Sequence, residues 1–190
     1  MPFPAFGPAF GLAFRPAVRH ASVAALLVLL AGCTAPDKFA PACPRAQLLP
    51  DAADLTRFNG RGEDVSDMVL NARLTTVRAE CSAVGSSVVR TRLLGIGMDF
   101  TRGPALVGRG VSVPMFIAVT EGDRVLNEKD FMENVAFPPN VDRITVTEDT
   151  DGTEILLRVT PEKSAAAYTL FVGFRLTAAE LAYNRRTVRR

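Results

Sequence analysis

Val111-Ser112-Val113-Pro114-Met115-Phe116-Ile117-Ala118-Val119-Thr120 alternates long or branched apolar side chains with small, polar or second apolar ones. Side chains of an extended chain point to opposite faces in turn, so Val111, Val113, Met115, Ile117 and Val119 share one face of a strand. Pro114 has no amide hydrogen to give to a ladder, which predicts an edge or a bulge at that point. Working outward, Tyr168, Leu170, Val172, Phe174 and Leu176 repeat the period against Thr169, Phe171, Gly173 and Arg175. The same reading predicts strands over Met68–Val77 and over Val88–Thr101, the latter with Leu94, Ile96, Met98 and Phe100 inward. Arg143–Glu148 and Glu154–Thr160 follow, with Ile155, Leu157 and Val159 inward, and Ala46–Leu49 and Val125–Asn127 are weaker candidates.

Turn chemistry joins these runs. Asp151-Gly152, between Ile144–Thr147 and Ile155–Val159, predicts a hairpin, because aspartate and glycine enter positive φ at low cost. Glu121-Gly122-Asp123 predicts another between Val119 and Val125. Short strands with turns at this spacing point to a mainly β protein, an antiparallel two-layer β-sandwich that is immunoglobulin-like in outline. Two helices are expected: a short one over Asp51–Phe58 after Pro50, and a C-terminal one opened by the capping box Thr177-Ala178-Ala179-Glu180.

The N-terminal part reads as an address. Arg15 and Arg19 precede the apolar run Ala21–Leu30, and Leu30-Ala31-Gly32-Cys33 then has the residue sizes of a bacterial lipobox, with small residues just before a cysteine. The apolar core is shorter than the roughly 20 residues that span a bilayer as a helix. The expected organisation is a lipoprotein signal peptide over residues 1–32, lipidated Cys33 and a tether over 33–42, and one β-sandwich domain over 43–190. Cleavage before Cys33 removes Arg15 and Arg19, so the net charge of +2 falls to zero, and it removes His20, the one histidine of the chain. A neutral mature chain gives no support to nucleic-acid binding. Without histidine it has no Ser/His/Asp or Cys/His pair and no histidine metal site. No cofactor motif is present.

Cys43 and Cys81 remain after Cys33. An even pair in an oxidising compartment reads as a disulfide; a reactive thiol or a two-thiolate metal site are the competing readings. Four carboxylates among Glu148, Asp149, Asp151 and Glu154 resemble part of a calcium loop but lack its full ligand order, which favours a solvated turn. Arg185, Arg186, Arg189 and Arg190 crowd the C-terminus, either as a contact for anionic surfaces or as cations complementing a helix end. The segment Arg102–Gly110 reads as a plain connection, Gly95 and Gly97 as sites of twist or close approach, and Asp64 and Asp67 as a carboxylate pair of low information.

Cys43-Pro44, Leu48–Phe58, Thr101-Arg102-Gly103-Pro104-Ala105, Val172-Gly173-Phe174-Arg175-Leu176-Thr177 and Ala182-Tyr183-Asn184-Arg185-Arg186 together resemble small envelope lipoproteins of alphaproteobacteria. That resemblance implies a class and an address and brings no activity. Thr34, the second mature residue, is similar to the sorting pattern of lipoproteins sent to the outer membrane, since aspartate there retains them in the inner one. The expectation is an outer-membrane lipoprotein facing the periplasm, membrane-bound through its lipid, which binds an envelope protein partner without catalysis. A small-ligand or glycan-binding module is the alternative, and a carboxylate-only hydrolase a third reading.

Overall fold

The computed structural model describes residues 42–148 and 154–187. The signal segment, Cys33, nearly all of the tether, Asp149, Asp151, Gly152, Arg189 and Arg190 lie outside the described residues. The strands are β1 (Arg45–Leu48), β2 (Asp54–Phe58), β3 (Met68–Val84), β4 (Val88–Arg102), β5 (Gly110–Glu121), β6 (Arg124–Ala136), β7 (Arg143–Glu148), β8 (Ile155–Arg158) and β9 (Tyr168–Phe174). A single α-helix among the described residues, α1 (Ala178–Thr187), follows. One sheet has the order β1-β9-β5-β6; the other has the order β2-β3-β4-β7, with β8 also on β4. The result is a two-layer β-sandwich with one short C-terminal helix. All strand pairs are antiparallel except β1 with β9, which run parallel.

Alternation explains the core. Val113, Met115, Ile117 and Val119 of β5 and Leu170, Val172 and Phe174 of β9 are buried against Leu55 of β2, Leu70, Ala72 and Leu74 of β3, and Ile96, Met98 and Phe100 of β4. Each fully buried side chain of this size contributes roughly 1.5–3 kcal/mol by leaving water. Pro114 stands where the β9 ladder has just ended at Met115↔Phe174, and its carbonyl accepts from the Arg175 amide at 2.8 Å. Its missing N–H faces that same side and cannot return a bond to the Arg175 carbonyl, so the ladder stops there; β5 lies between β9 and β6 with no register shift at Pro114, which corrects the expected edge or bulge.

Four further expectations are corrected. The helix expected over Asp51–Phe58 is a 3-10 turn at Pro50–Ala52 followed by β2, because pairing with β3 from Asp54↔Arg73 to Phe58↔Met68 overrides local propensity. The strands flanking Asp151-Gly152 do not form a hairpin with each other: β7 pairs β4 from Thr101↔Arg143 to Ile96↔Glu148, and β8 pairs the same edge from Thr91↔Ile155 to Val88↔Arg158. β4 is long enough to take both in succession. Leu94 is not the inward residue of its pair. The β3–β4 register shifts between Leu74/Thr76 and Thr76/Arg78, and Gly95 sits at φ +58°, so the pleat parity reverses and Leu93 is buried instead. Finally, the weak candidate at Val125–Asn127 is the start of a strand of 13 residues, β6.

The Glu121-Gly122-Asp123 turn does join β5 to β6, with Glu121 opposite Arg124 and Gly122 at φ +55°. Cys43 and Cys81 form a disulfide with Cα atoms 5.7 Å apart across 38 residues. It ties the chain two residues before β1 to β3. The capping box forms as read: the Thr177 amide donates to Glu180 Oε2 at 2.8 Å and the Glu180 amide to Thr177 Oγ1 at 3.2 Å. Glu180 Oε1 accepts from Arg57 Nε at 3.0 Å, and the Asn184 amide group donates to the Asp51 and Asp54 carbonyls at 3.3 and 2.6 Å. These bonds seat α1 on β2. No helix among the described residues is long and apolar enough to cross a membrane.

Candidate binding cleft

A sandwich leaves open rims where the outer strands of its two sheets face each other. One such rim lies between β6 and β8 and holds a cleft of about 580 Å³. Its floor is made by the core-facing side chains Ile117 and Val119 of β5, Leu157 of β8 and Tyr168 of β9. Leu126 and Leu156 form the walls and remain 41% and 62% exposed, more than a plain edge requires.

Local irregularity aims Leu126 at the cleft. The β5–β6 register slips between Val119 and Thr120, which leaves Leu126 as the extra residue between Val119↔Asn127 and Thr120↔Val125. A bulge of this kind bends the strand and redirects its side chain. Tyr168 is held by its hydroxyl, which donates to the Arg158 carbonyl at 2.6 Å, and by Lys163, whose ammonium lies 4.5 Å from the ring centre. Lys163 also pairs with Glu121 at 2.5 Å; this bond, with that from Arg124, holds the Glu121 carboxyl below its usual range.

The charged groups at the mouth are Glu128, Lys129, Glu154 and Arg158. Glu128 is ion-paired with Arg175, which also takes Asp130 and stacks 4.6 Å over the Phe116 ring. Glu154 pairs with Arg90 at 3.2 Å. Both carboxylates are therefore ion-paired, Glu128 with an arginine just past the end of β9 and Glu154 with one on β4, whereas the Arg158 guanidinium makes no ion pair among the described residues. Such a mouth over an apolar floor suits an apolar group flanked by an anionic one.

The residues singled out from sequence lie elsewhere. Arg185 makes two bonds to Asp51 Oδ2, at 2.9 and 2.8 Å, and Arg186 donates to both Glu63 oxygens at 2.6 and 2.8 Å, so each is engaged with a carboxylate of its own domain. Asp64 caps the 3-10 turn Val65–Asp67, accepting from the Ser66 amide and hydroxyl at 3.0 Å each; the backbone bond foremost lowers its pKa. Asp67 accepts from Asn59 at 3.3 Å. The loop after β4 turns its carbonyls inward: Arg102 donates to Leu106 O and Gly108 O at 3.3 and 3.1 Å, the reverse of an anion cradle. No group of three or more metal-binding side chains occurs among the described residues.

Sequence reading missed the cleft. Its walls come from two segments, Leu126 and Leu156, that look like ordinary strand residues until the rim brings them together. The one available signal was the broken alternation of β6, where Asn127, Lys129 and Glu133 fall on the face that pairing turns inward. Compared with protein-family models, with characterised proteins and with solved structures, the chain has no significant match.

Proposed function

We propose that this chain is a lipid-anchored envelope protein that acts by binding, without catalysis, through the cleft between β6 and β8. The observation that carries the reading is the pair of exposed leucines, Leu126 and Leu156, walling an apolar-floored opening, with Arg158 at its mouth making no ion pair among the described residues. The Leu30-Ala31-Gly32-Cys33 run supports attachment through Cys33, and Thr34 supports the outer membrane, with the domain facing the periplasm. The bound group is a segment of an envelope protein that offers apolar side chains to the leucines and a carboxylate to Arg158.

A photocrosslinking residue in place of Leu156 tests this in living cells, with the same residue in place of Val65, which is exposed at a different site, as the control. One abundant envelope protein captured from position 156 and not from 65 is the expected result. Equal or absent capture at both overturns it. The concavity of the cleft also favours a second reading, a small amphipathic ligand, since binding pockets for such molecules fall in the same size range. Native mass spectrometry of the protein extracted from membranes distinguishes the two by the mass retained.

A further inference from the structure

The described chain enters the sandwich at one of its two ends. Cys43 is bonded to Cys81, Arg45 stands beside Thr169, and Tyr168 pairs with Glu121, so the β3–β4 turn and the β5–β6 turn share that end with the bridge. Cys33 precedes Cys43 by ten residues, at most about 35 Å when fully extended. A lipid on Cys33 therefore keeps this end within reach of the bilayer. We propose that the β3–β4 tip at this end rests on the anionic phospholipid headgroups of the membrane that holds the anchor. The inference rests on the lipid-anchored reading and adds a contact separate from the cleft.

The tip suits a headgroup layer. The hairpin runs roughly 13 Å beyond Cys81 before it turns at Gly85, whose φ is +68°. Residues 81–89 carry no charge, residues 82–87 are exposed, and Val84 ends the β3 ladder with its side chain in the open. Cations stand behind it. Arg78 lies three residues before Cys81 and Arg45 two after Cys43; both are exposed, and neither makes an ion pair among the described residues. Arg90 and Arg92 flank the tip as well but are engaged with Glu154 and Glu80. Arg158, opposite Val88, is left unaltered in the test below because it serves the cleft.

The second turn at this end has the opposite character. Glu121 and Asp123 flank Gly122; Lys163 and Arg124 hold Glu121, and Asp123 makes no ion pair among the described residues. An anionic surface attracts the first tip and repels the second, so the sandwich leans on its β3–β4 hairpin. One cation at such a surface changes binding about fivefold, and the attraction fades within a Debye length. Two arginines cannot hold the protein unaided. With the anchor in place the contact becomes intramolecular, and a weak interaction is enough.

The chain has no tryptophan, so a single one introduced at a chosen position reports on that position alone. Full-length protein carrying Val84→Trp, or Val65→Trp at the other end of β3 as the control, is reconstituted into vesicles of phosphatidylglycerol and acyl-brominated phosphatidylcholine in equal parts, or of brominated phosphatidylcholine alone. Quenching is expected at position 84 in the anionic vesicles, with little at position 65 and little at either position in the neutral ones. Adding Arg45→Gln and Arg78→Gln to the position-84 reporter should lower its ratio of docked to free protein at least about tenfold, as should 1 M salt. Equal quenching at 84 and 65, quenching indifferent to the anionic lipid, or quenching unchanged by R45Q/R78Q each overturns the proposal. So does a crosslinker at position 84 that captures a protein in cells while the vesicles give no quenching, since the tip then serves a protein partner. Flotation and the mass of the Cys33 peptide separate the two readings: protein that floats with an acylated Cys33 but shows no docking removes this inference alone, whereas protein without acyl chains that does not float removes the anchor and this inference with it.

Discussion

At Gly103 the fold has no room for any other residue. A Cβ built there would lie 2.0 Å from the Met68 carbonyl oxygen and 2.5 Å from its carbon, and backbone does not yield as a flexible side chain does. The Gly103 amide donates to Val69 O at 2.9 Å, which draws the start of the loop onto β3. Gly103→Ala should therefore destabilise by about 3 kcal/mol or more, measured by urea unfolding. A loss under 1 kcal/mol would show that the loop can move away from β3. This constraint was invisible in sequence, where Gly103 stands in an ordinary Gly-Pro connection; the clash comes from a strand more than thirty residues earlier.

Glu133 gives a pH prediction at the same scale. Its pKa in the folded chain lies above the ordinary value of 4.5, owing to burial and to Glu148. For an acid with a raised folded pKa, the native state binds the proton more readily than the unfolded one. Stability is then highest below the unfolded value, falls as pH rises towards the raised one, and stays lower above it. Glu133→Gln should raise Tm at pH 7 and leave it unchanged near pH 3.5. An equal effect at both pH values would assign the change to packing rather than charge.

At the scale of elements, two fasteners hold the N-terminal strands in place. The Cys43–Cys81 bridge closes a loop of 38 residues, worth about 4 kcal/mol in the chain-entropy model. β1 has only four residues and a single strand partner, β9, so the bridge is its main restraint. Replacing both cysteines with serine should lower stability by about that amount and speed hydrogen exchange first at the Leu49 amide, which donates to the Val172 carbonyl of β9. Uniform acceleration across both sheets would place the bridge's role elsewhere. The bridge was legible from parity and compartment alone.

The second fastener is α1. Its helix was readable from the capping box, but its seat was not, because Asn184 acts on carbonyls at Asp51 and Asp54, far away in the chain. Asn184→Ala leaves those part-buried acceptors short of a donor and should cost about 1 kcal/mol, seen as a lower unfolding midpoint with an unchanged urea slope. The misread helix over Asp51–Phe58 belongs to the same lesson. Asp54–Phe58 becomes a strand because β3 offers a partner and α1 a cover, and neither is a property of those five residues.

At the scale of the whole molecule, attachment and binding separate cleanly. If Cys33 carries the lipid, Cys33→Ala should block lipidation and release the protein from the membrane fraction, while the isolated sandwich keeps its disulfide and melting behaviour; a variant still membrane-bound and uncleaved would leave only a signal-anchor reading. Three acyl chains at about 0.8 kcal/mol per buried methylene would otherwise make attachment effectively permanent. Membrane retention of a cleaved Cys33→Ala chain would point to a second anchor.

The sequence by itself determined the β class, the inward faces of β5 and β9, the Gly122 turn, the helix cap and the disulfide. Each depends on neighbours two to four residues apart or on the parity of a rare residue. Only tertiary structure decided that β7 and β8 share one edge of β4, that a bulge exchanges Leu94 for Leu93, and that β6 runs for 13 residues with charges on its inner face. It also decided where the opening lies. The physical reason is that register and rim are set by which long strand lies alongside, and a strand's pattern records the face it buries but not the partner that buries it.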